Sequence, residues 1–320
     1  MVIGAGDMGA RHAAHWAKAG AKVTAICDPD ITRASKAALA VGATAYTDYK
    51  EVLSSEEVSA VSVCTPTFLH PSATLDCLNA GKHVLCEKPI ALTLEDAEAM
   101  KDAASENEVE LRVGFMRRFD PMFPKLKALT SSIGSPVYGT VRITAGIRPK
   151  RLMHDLMANG GPVIDMCCHI FDVWQLIFGE MPKLEYAAGS ILAVNDKALA
   201  AIEHKAVDTA LASFSFSQGH VMQLFVSWGL PEGTPPNEHH SYLSEGGIVN
   251  LCWNYDEPSV MYHDGIGVTS YSGKRDPWEA EIKQFYRELT DNAPQRVASA
   301  EDGIEALRLS LEVLKKIKGQ

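Results

Sequence analysis

Three stretches of this sequence combine residue types and spacings that can do chemistry. In Cys86-Glu87-Lys88-Pro89 a lysine follows the apolar run Lys82–Leu85. Held at the end of a strand, it can stabilise a developing alkoxide, or exchange a proton if desolvation lowers its pKa; the plain alternative is a solvated lysine in a turn. The segment Gly160–Trp174 is almost wholly apolar except for Asp165, His169 and Asp172. At i, i+4 and i+7 these share one helix face, and three ionisable groups on a buried stripe are costly unless a polar cavity lies opposite. An imidazole with a carboxylate one turn away is a general base with its orienter. A satisfied core histidine, or a metal site built from Asp165, His169 and Asp172, are the competing readings, and the lack of another ligand motif weighs against metal. Finally, Thr65-Pro66-Thr67-Phe68-Leu69-His70 follows another apolar run. Its backbone and Thr65 can line a cofactor, with His70 either joining them or capping the next helix.

Gly4-Ala5-Gly6-Asp7-Met8-Gly9 is G-x-G-x-x-G between a strand and a helix. The first glycine allows the tight turn, the second lets backbone approach a pyrophosphate, and the third lets helix and strand come close. The helix N-terminus adds free N–H groups for the anion. Asp28 ends the next strand, nineteen positions after Gly9, where a carboxylate binds ribose hydroxyls and repels a 2′-phosphate. That favours NAD over NADP.

The elements that position these residues follow from the apolar pattern. Val2-Ile3, Lys22–Cys27, Ala60–Cys64, Lys82–Cys86 and Val109–Phe115 read as strands. Between them, Met8–Ala19, Ile31–Val41 and Pro71–Ala80 read as helices, each closed by glycine. Thr93 and Asp96 resemble a capping box for a helix Leu94–Asn107. Apolar runs without alternation, separated by helices, mean a parallel sheet covered on both faces. After Arg117 the style changes. Asp120 and Pro121 read as the N-cap and first-turn proline of a helix through Leu129. Alternating runs follow at Val137–Ala145, Leu184–Val194, Thr209–Phe216, Val221–Trp228, His239–Leu243, Ile248–Trp253 and Ser259–Tyr262. Helices are expected at Pro162–Phe178, Trp278–Asp291 and Glu301–Lys318. The fold class is thus an α/β doubly wound parallel-sheet domain, residues 1–118, followed by an α+β domain, residues 119–320, with a large, mostly antiparallel sheet.

At 320 residues and a net charge of −10, the chain is ordinary in composition and lacks the clustered basic face of a nucleic-acid binder. No run reaches the ~20 apolar residues of a membrane span. Seven scattered cysteines without CxxC spacing read as reduced thiols, so the expected location is the cytoplasm. Met1 leads into the glycine loop with no room for a signal peptide. The first strand is short for the centre of a sheet, which points to a native start upstream of Met1.

Gly4–Gly9, Asp28, Thr65-Pro66, Glu87-Lys88-Pro89, Arg117-Arg118-Phe119-Asp120-Pro121 and Gly160-Gly161-x3-Asp165-x3-His169-x2-Asp172 together resemble the Gfo/Idh/MocA oxidoreductases. The resemblance spans both halves of the chain. It implies a Rossmann domain and an open-sheet domain used for homodimer or homotetramer contacts. It implies catalytic roles for Lys88, Asp165 and His169, and cofactor contacts from Gly4, Gly6, Asp7, Met8, Gly9, Asp28, Thr65, Pro66, His70, Glu87 and Lys88. Arg118 and His154 join Lys88, Asp165 and His169 as expected substrate contacts. Thr67 stands where many members have Asn. The implied activity is NAD-dependent oxidation of a secondary alcohol on a cyclic polyol or sugar, without a metal. Two alternatives use the same motifs: a glycosidase or epimerase with internally recycled NAD, and a non-catalytic nucleotide sensor.

Overall fold

Two residues are enough for the first strand because its neighbours lie on both sides of it. The computed structural model describes residues 1–253, 258–273 and 276–319. In the first half, β1 (Val2–Ile3), β2 (Ala25–Cys27), β3 (Thr44–Tyr46), β4 (Ala60–Val63), β5 (His83–Cys86) and β6 (Leu111–Val113) form a parallel sheet in the order β6-β5-β4-β1-β2-β3. A short antiparallel strand, Ala298–Ser299, extends it beyond β6. The helices are α1 (Asp7–Ala19), α2 (Ile31–Val41), α3 (Lys50–Leu53), α4 (His70–Asn79) and α5 (Leu94–Glu106). Gly20 and Gly42 end α1 and α2 in the left-handed region, as their positions predict. Thr93 caps α5, its Oγ1 accepting from the Asp96 N–H at 3.1 Å. β3 and α3 escaped the sequence reading because Thr44–Tyr46 is polar and partly exposed, with no apolar run to mark it.

The second half is built on an eight-stranded sheet. Its elements are α6 (Phe123–Ser132), β7 (Tyr138–Gly146), α7 (Gly161–Asp165), α8 (Cys167–Phe178), β8 (Lys183–Ser190), β9 (Thr209–Ser215), β10 (Val221–Leu230), β11 (Asn237–Ser244), β12 (Gly247–Trp253), β13 (Ser259–His263) and β14 (Val268–Ser272). The order is β14-β13-β12-β11-β7-β10-β9-β8, antiparallel except for the β7–β10 pair. Ala210, Ala212, Phe214, Met222, Leu224 and Val226 alternate onto a buried face. There α8 covers them, with Phe171 and Trp174 at 5.5 and 5.4 Å from Phe214. Gly161–Phe178 has a mean hydropathy of 1.2, yet 72% of it is buried inside the protein, which marks core helices.

Three sequence expectations shift. Asp120 does not cap a helix directly. Its side chain accepts from the Met122 N–H in a turn, and α6 starts at Phe123 with Pro124 in its first turn. The run expected to reach Val194 stops at Ser190, because the Leu192 and Ala193 N–H groups turn onto the Asp208 carboxylate at 2.8 and 2.9 Å. The segment Pro162–Phe178 is not one helix but two, broken at Met166.

The chain forms two compact units, Met1–Phe119 with Asp276–Leu307, and Asp120–Arg275 with Arg308–Gln320. The expected assignment of all of 119–320 to the second domain is therefore corrected: Asp276–Leu307 belongs to the first. The reason is burial. Helix α9 (Pro277–Thr290) puts Ile282 and Phe285 into one core with Val2, Trp16, Ile26 and Leu85, and Trp16 meets Phe285 edge-on at 5.9 Å. Helix α10 (Ala300–Ile317) begins in the first unit and ends in the second.

Candidate functional site

The glycine loop is shaped by steric limits. Gly4 has φ +91°, and a Cβ there would lie 2.6 Å from the Cys64 carbonyl oxygen. At Gly9 a Cβ would overlap the Gly4 carbonyl, whereas at Gly6 it would meet nothing within 4 Å. Gly4 and Gly9 are thus fixed by the protein, and Gly6 faces open space where a pyrophosphate could approach. Asp7 and Met8 form the first turn of α1, with Asp7 exposed.

Asp28 follows β2 and is almost fully buried. Its Oδ2 accepts from the Ala5 N–H at 2.8 Å; its Oδ1 accepts from the Asp30 N–H at 2.9 Å and from Arg33 Nη2 and Nε at 2.8 and 3.2 Å. Burial works against its charge. The Arg33 and backbone hydrogen bonds outweigh burial and hold the carboxyl below its usual range.

The loops after β4 and β5 lie at the carboxyl ends of their strands. Lys88 is half-buried, between a buried Glu87 and a cis Lys88–Pro89 peptide. Glu87 turns back on the loop: Oε2 accepts the Lys88 N–H at 3.2 Å and Oε1 lies 2.8 Å from His12 Nε2. Both of its carboxylate oxygens are thus engaged by protein groups. His70, buried as the first residue of α4, does not cap that helix. Its Nδ1 is 2.8 Å from the Pro89 carbonyl and its Nε2 3.0 Å from the Thr65 carbonyl. Burial lowers its pKa. Pro66 leads into a short 3-10 turn, Thr67–Leu69.

In the second unit Gly160 and Gly161 have φ +82° and +72°; a Cβ on them would lie 2.6 Å from Ile164 and 2.5 Å from Ala206. This pair therefore fixes the start of α7. Asp165 ends α7 and His169 lies in the first turn of α8; both, with Asp172, are buried. At the break the His169 N–H donates to the Met166 carbonyl at 3.2 Å, so the regular i, i+4, i+7 stripe expected from the sequence is interrupted. His154 is buried, with Nε2 accepting the Arg148 N–H at 2.8 Å, which ties one ring nitrogen to the loop. Arg118, expected to bind substrate, sits in the first unit with Nη2 3.1 Å from Asp302.

Residues 1–115 match a family described as an oxidoreductase family with an NAD-binding Rossmann fold, and residues 127–261 match its C-terminal alpha/beta domain. A myo-inositol 2-dehydrogenase of Thermotoga maritima is 32% identical over 283 residues, covering 86% of this chain and 82% of the relative. The chain belongs to the Gfo/Idh/MocA oxidoreductases. A UDP-N-acetylglucosamine 3-dehydrogenase of Acidithiobacillus ferrooxidans is 30% identical over 311 residues, 92% of this chain and 89% of its own. The solved structure of a probable dehydrogenase from Thermotoga maritima superposes with a TM-score of 0.80 at 29% identity, covering 99% of this chain and 96% of that one.

As a Gfo/Idh/MocA protein the chain uses NAD, and its residues fit that group. Open space at Gly6, a carboxylate at Asp28 and a buried Thr65 Oγ1 with no hydrogen-bond partner among the described residues all lie at the carboxyl ends of the strands. A cavity of about 190 Å³ lined by Met1, Trp16, Val23, Ser59, Ala60 and Tyr286 lies instead at the amino ends, the wrong edge for a dinucleotide. Sequence reasoning missed His12, Ser62 and Arg33. His12 and Ser62 are far from Glu87 along the chain, and Arg33 reads as an ordinary surface residue of α2.

Proposed function

We propose that this Gfo/Idh/MocA protein oxidises a secondary alcohol of a cyclic polyol or sugar, with NAD as hydride acceptor. The reading is carried by what each unit holds: in the first, the glycine loop with Asp28 after β2 and Lys88 after β5, and in the second, the buried Asp165 and His169 of α7 and α8. Relatives named as inositol and UDP-sugar dehydrogenases support the substrate class.

When bound, the nicotinamide takes the hydride. In the proposed scheme His169 accepts the hydroxyl proton, Asp165 orients the imidazole and stabilises its charged form, and Lys88 holds positive charge against the reacting oxygen. Gly6 and the N-terminus of α1 hold the pyrophosphate, and Asp28 holds the adenosine ribose. A glycosidase or epimerase with recycled NAD is not favoured, since these relatives are named dehydrogenases. A sensor would have no use for an acid–base pair.

The proposed assembly is a homodimer or homotetramer built on the uncovered face of the β7–β14 sheet. Tyr138, Leu211, Val221, Leu243 and Met261 are exposed there, and the cross-strand pairs Val221–Tyr138 and Leu243–Tyr138 gather three of them into one patch. The proposed compartment is the cytoplasm, in keeping with seven free thiols. The activity is tested with inositols, aldoses and sugar acids, each supplied with NAD, by following reduced-nicotinamide absorbance. Oxidation of a ring alcohol with one NADH formed per product is expected. Turnover of a substrate without net NADH would favour the recycling alternative.

A further inference from the structure

The loop carrying Lys88 is held from beneath by a closed chain of buried hydrogen bonds. Trp16 Nε1 donates to Ser62 Oγ at 2.8 Å, Ser62 Oγ lies 3.1 Å from His12 Nδ1, and His12 Nε2 lies 2.8 Å from Glu87 Oε1. The Lys88 N–H completes the chain on Glu87 Oε2 at 3.2 Å. His12 and Ser62 are fully buried, and Glu87 nearly so. The donor and acceptor types fix the two ends of the chain. An ionised carboxylate only accepts, so His12 carries a proton on Nε2 and donates it to Glu87. Indole only donates, so Ser62 accepts from Trp16, and its hydroxyl can pair with His12 Nδ1 as donor or as acceptor. The hydrogen bond and the electrostatic pull of His12, followed by the charge and backbone N–H of Lys88, outweigh burial and keep the Glu87 carboxyl below its usual range.

From this we propose that His12 is a positioning residue for Lys88, acting through Glu87 and so tying the cofactor-binding helix α1 to the lysine loop. The register of the parts supports it. His12 lies in α1, whose N-terminus opens the glycine loop, and Glu87 is the residue immediately before Lys88. Gly114 makes room for the Glu87 carboxylate, since a Cβ there would come within 3.3 Å of it. The next residue is held as well, through the His70 contact to the Pro89 carbonyl. Without His12 a buried carboxylate loses one of its two partners, and the peptide of Lys88 shifts with it.

The inference rests on the reading of Lys88 as a charge on the reacting oxygen, and two measurements separate the two claims. The first is a double-mutant cycle between His12→Gln and Lys88→Met, with Glu87→Gln as a milder companion to His12→Gln, assayed with myo-inositol and NAD. If His12 acts through Lys88, His12→Gln lowers kcat by ~10-fold or more in the wild-type background and by less than ~2-fold beside Lys88→Met, with KM for NAD near wild type. Equal losses in both backgrounds would overturn it. The second needs no turnover: the rate of Lys88 acetylation by acetic anhydride, read by peptide mass spectrometry with exposed Lys183 as internal reference. His12→Gln and Glu87→Gln are expected to change the Lys88 rate by ~3-fold or more relative to Lys183. An unchanged ratio in both variants would refute the positioning role even if myo-inositol is not a substrate.

Discussion

Replacing Asp28 by serine should weaken NAD and erase most of its advantage over NADP. The carboxylate's Oδ1 is already engaged by three donors, from Asp30 and Arg33, whereas among the described residues Oδ2 accepts only the Ala5 N–H. Oδ2 is therefore the atom left to accept a ribose hydroxyl. A hydrogen bond to a charged group contributes ~1.5–3 kcal/mol, so its loss should weaken NAD by ~10- to 100-fold. For NADP the sign reverses. Two charges ~5 Å apart at an effective dielectric of ~20 repel by about 3 kcal/mol, and Asp28→Ser removes that repulsion. It also releases the exposed guanidinium of Arg33 from its 2.8 Å pairing, leaving it available to a 2′-phosphate. The NAD-to-NADP affinity ratio should fall by ~10²-fold or more. Dissociation constants from titrations of nicotinamide fluorescence with NADH and NADPH measure it directly. Adding Arg33→Ala to Asp28→Ser should take back the gain in NADPH. An unchanged ratio in Asp28→Ser would refute the assignment of this carboxylate to the ribose.

Gly6→Ala should leave the thermal midpoint near wild type, since its Cβ meets only open space, yet weaken NAD by ~10-fold or more; Gly9→Ala, whose Cβ overlaps the Gly4 carbonyl, should destabilise the fold by ~3 kcal/mol. Equal effects of the two on melting would contradict the assigned roles. Burial lowers the pKa of His15, His70, His83, His154 and His220. Below ~6.5 the unfolded chain therefore binds protons the folded one refuses, and stability falls with pH from there; the depressed Asp28, Glu87 and Asp302 add a further loss below ~4. A thermal midpoint that stays flat between neutral pH and pH 5 would count against this. Tyr138→Arg or Leu243→Asp on the uncovered sheet face should convert an oligomer to a monomer by light scattering with circular dichroism unchanged; a wild-type monomer at micromolar concentration would remove the interface.

The glycine loop, Asp28 and the lysine turn were legible because each is a local pattern, fixed by backbone sterics or by its place after an apolar run. What the sequence hid is what depends on distant partners. Helix α9 has an apolar stripe, Ile282 and Phe285, that periodicity reveals, but periodicity does not say which core it fills. The break at Met166 was invisible because the segment offers no glycine or proline between Pro162 and Gly179. His12 looked like a residue of an amphipathic helix. Only the fold, by bringing residues 12, 62 and 87 together, turns it into part of a buried chain.

The central claim is that His169 is the base and Lys88 the fixed charge in alcohol oxidation. The most direct test is the pH dependence of kcat/KM for His169→Ala and Lys88→Met, measured with the substrate the panel identifies. The base must be unprotonated to take the hydroxyl proton, so wild-type oxidation should show an acid-side limb. Removing the base should lower the rate by ~10²- to 10⁴-fold and abolish the limb, while removing the charge should lower it comparably and leave the limb in place. If Lys88→Met loses the limb and His169→Ala keeps it, lysine is the base and the account is wrong.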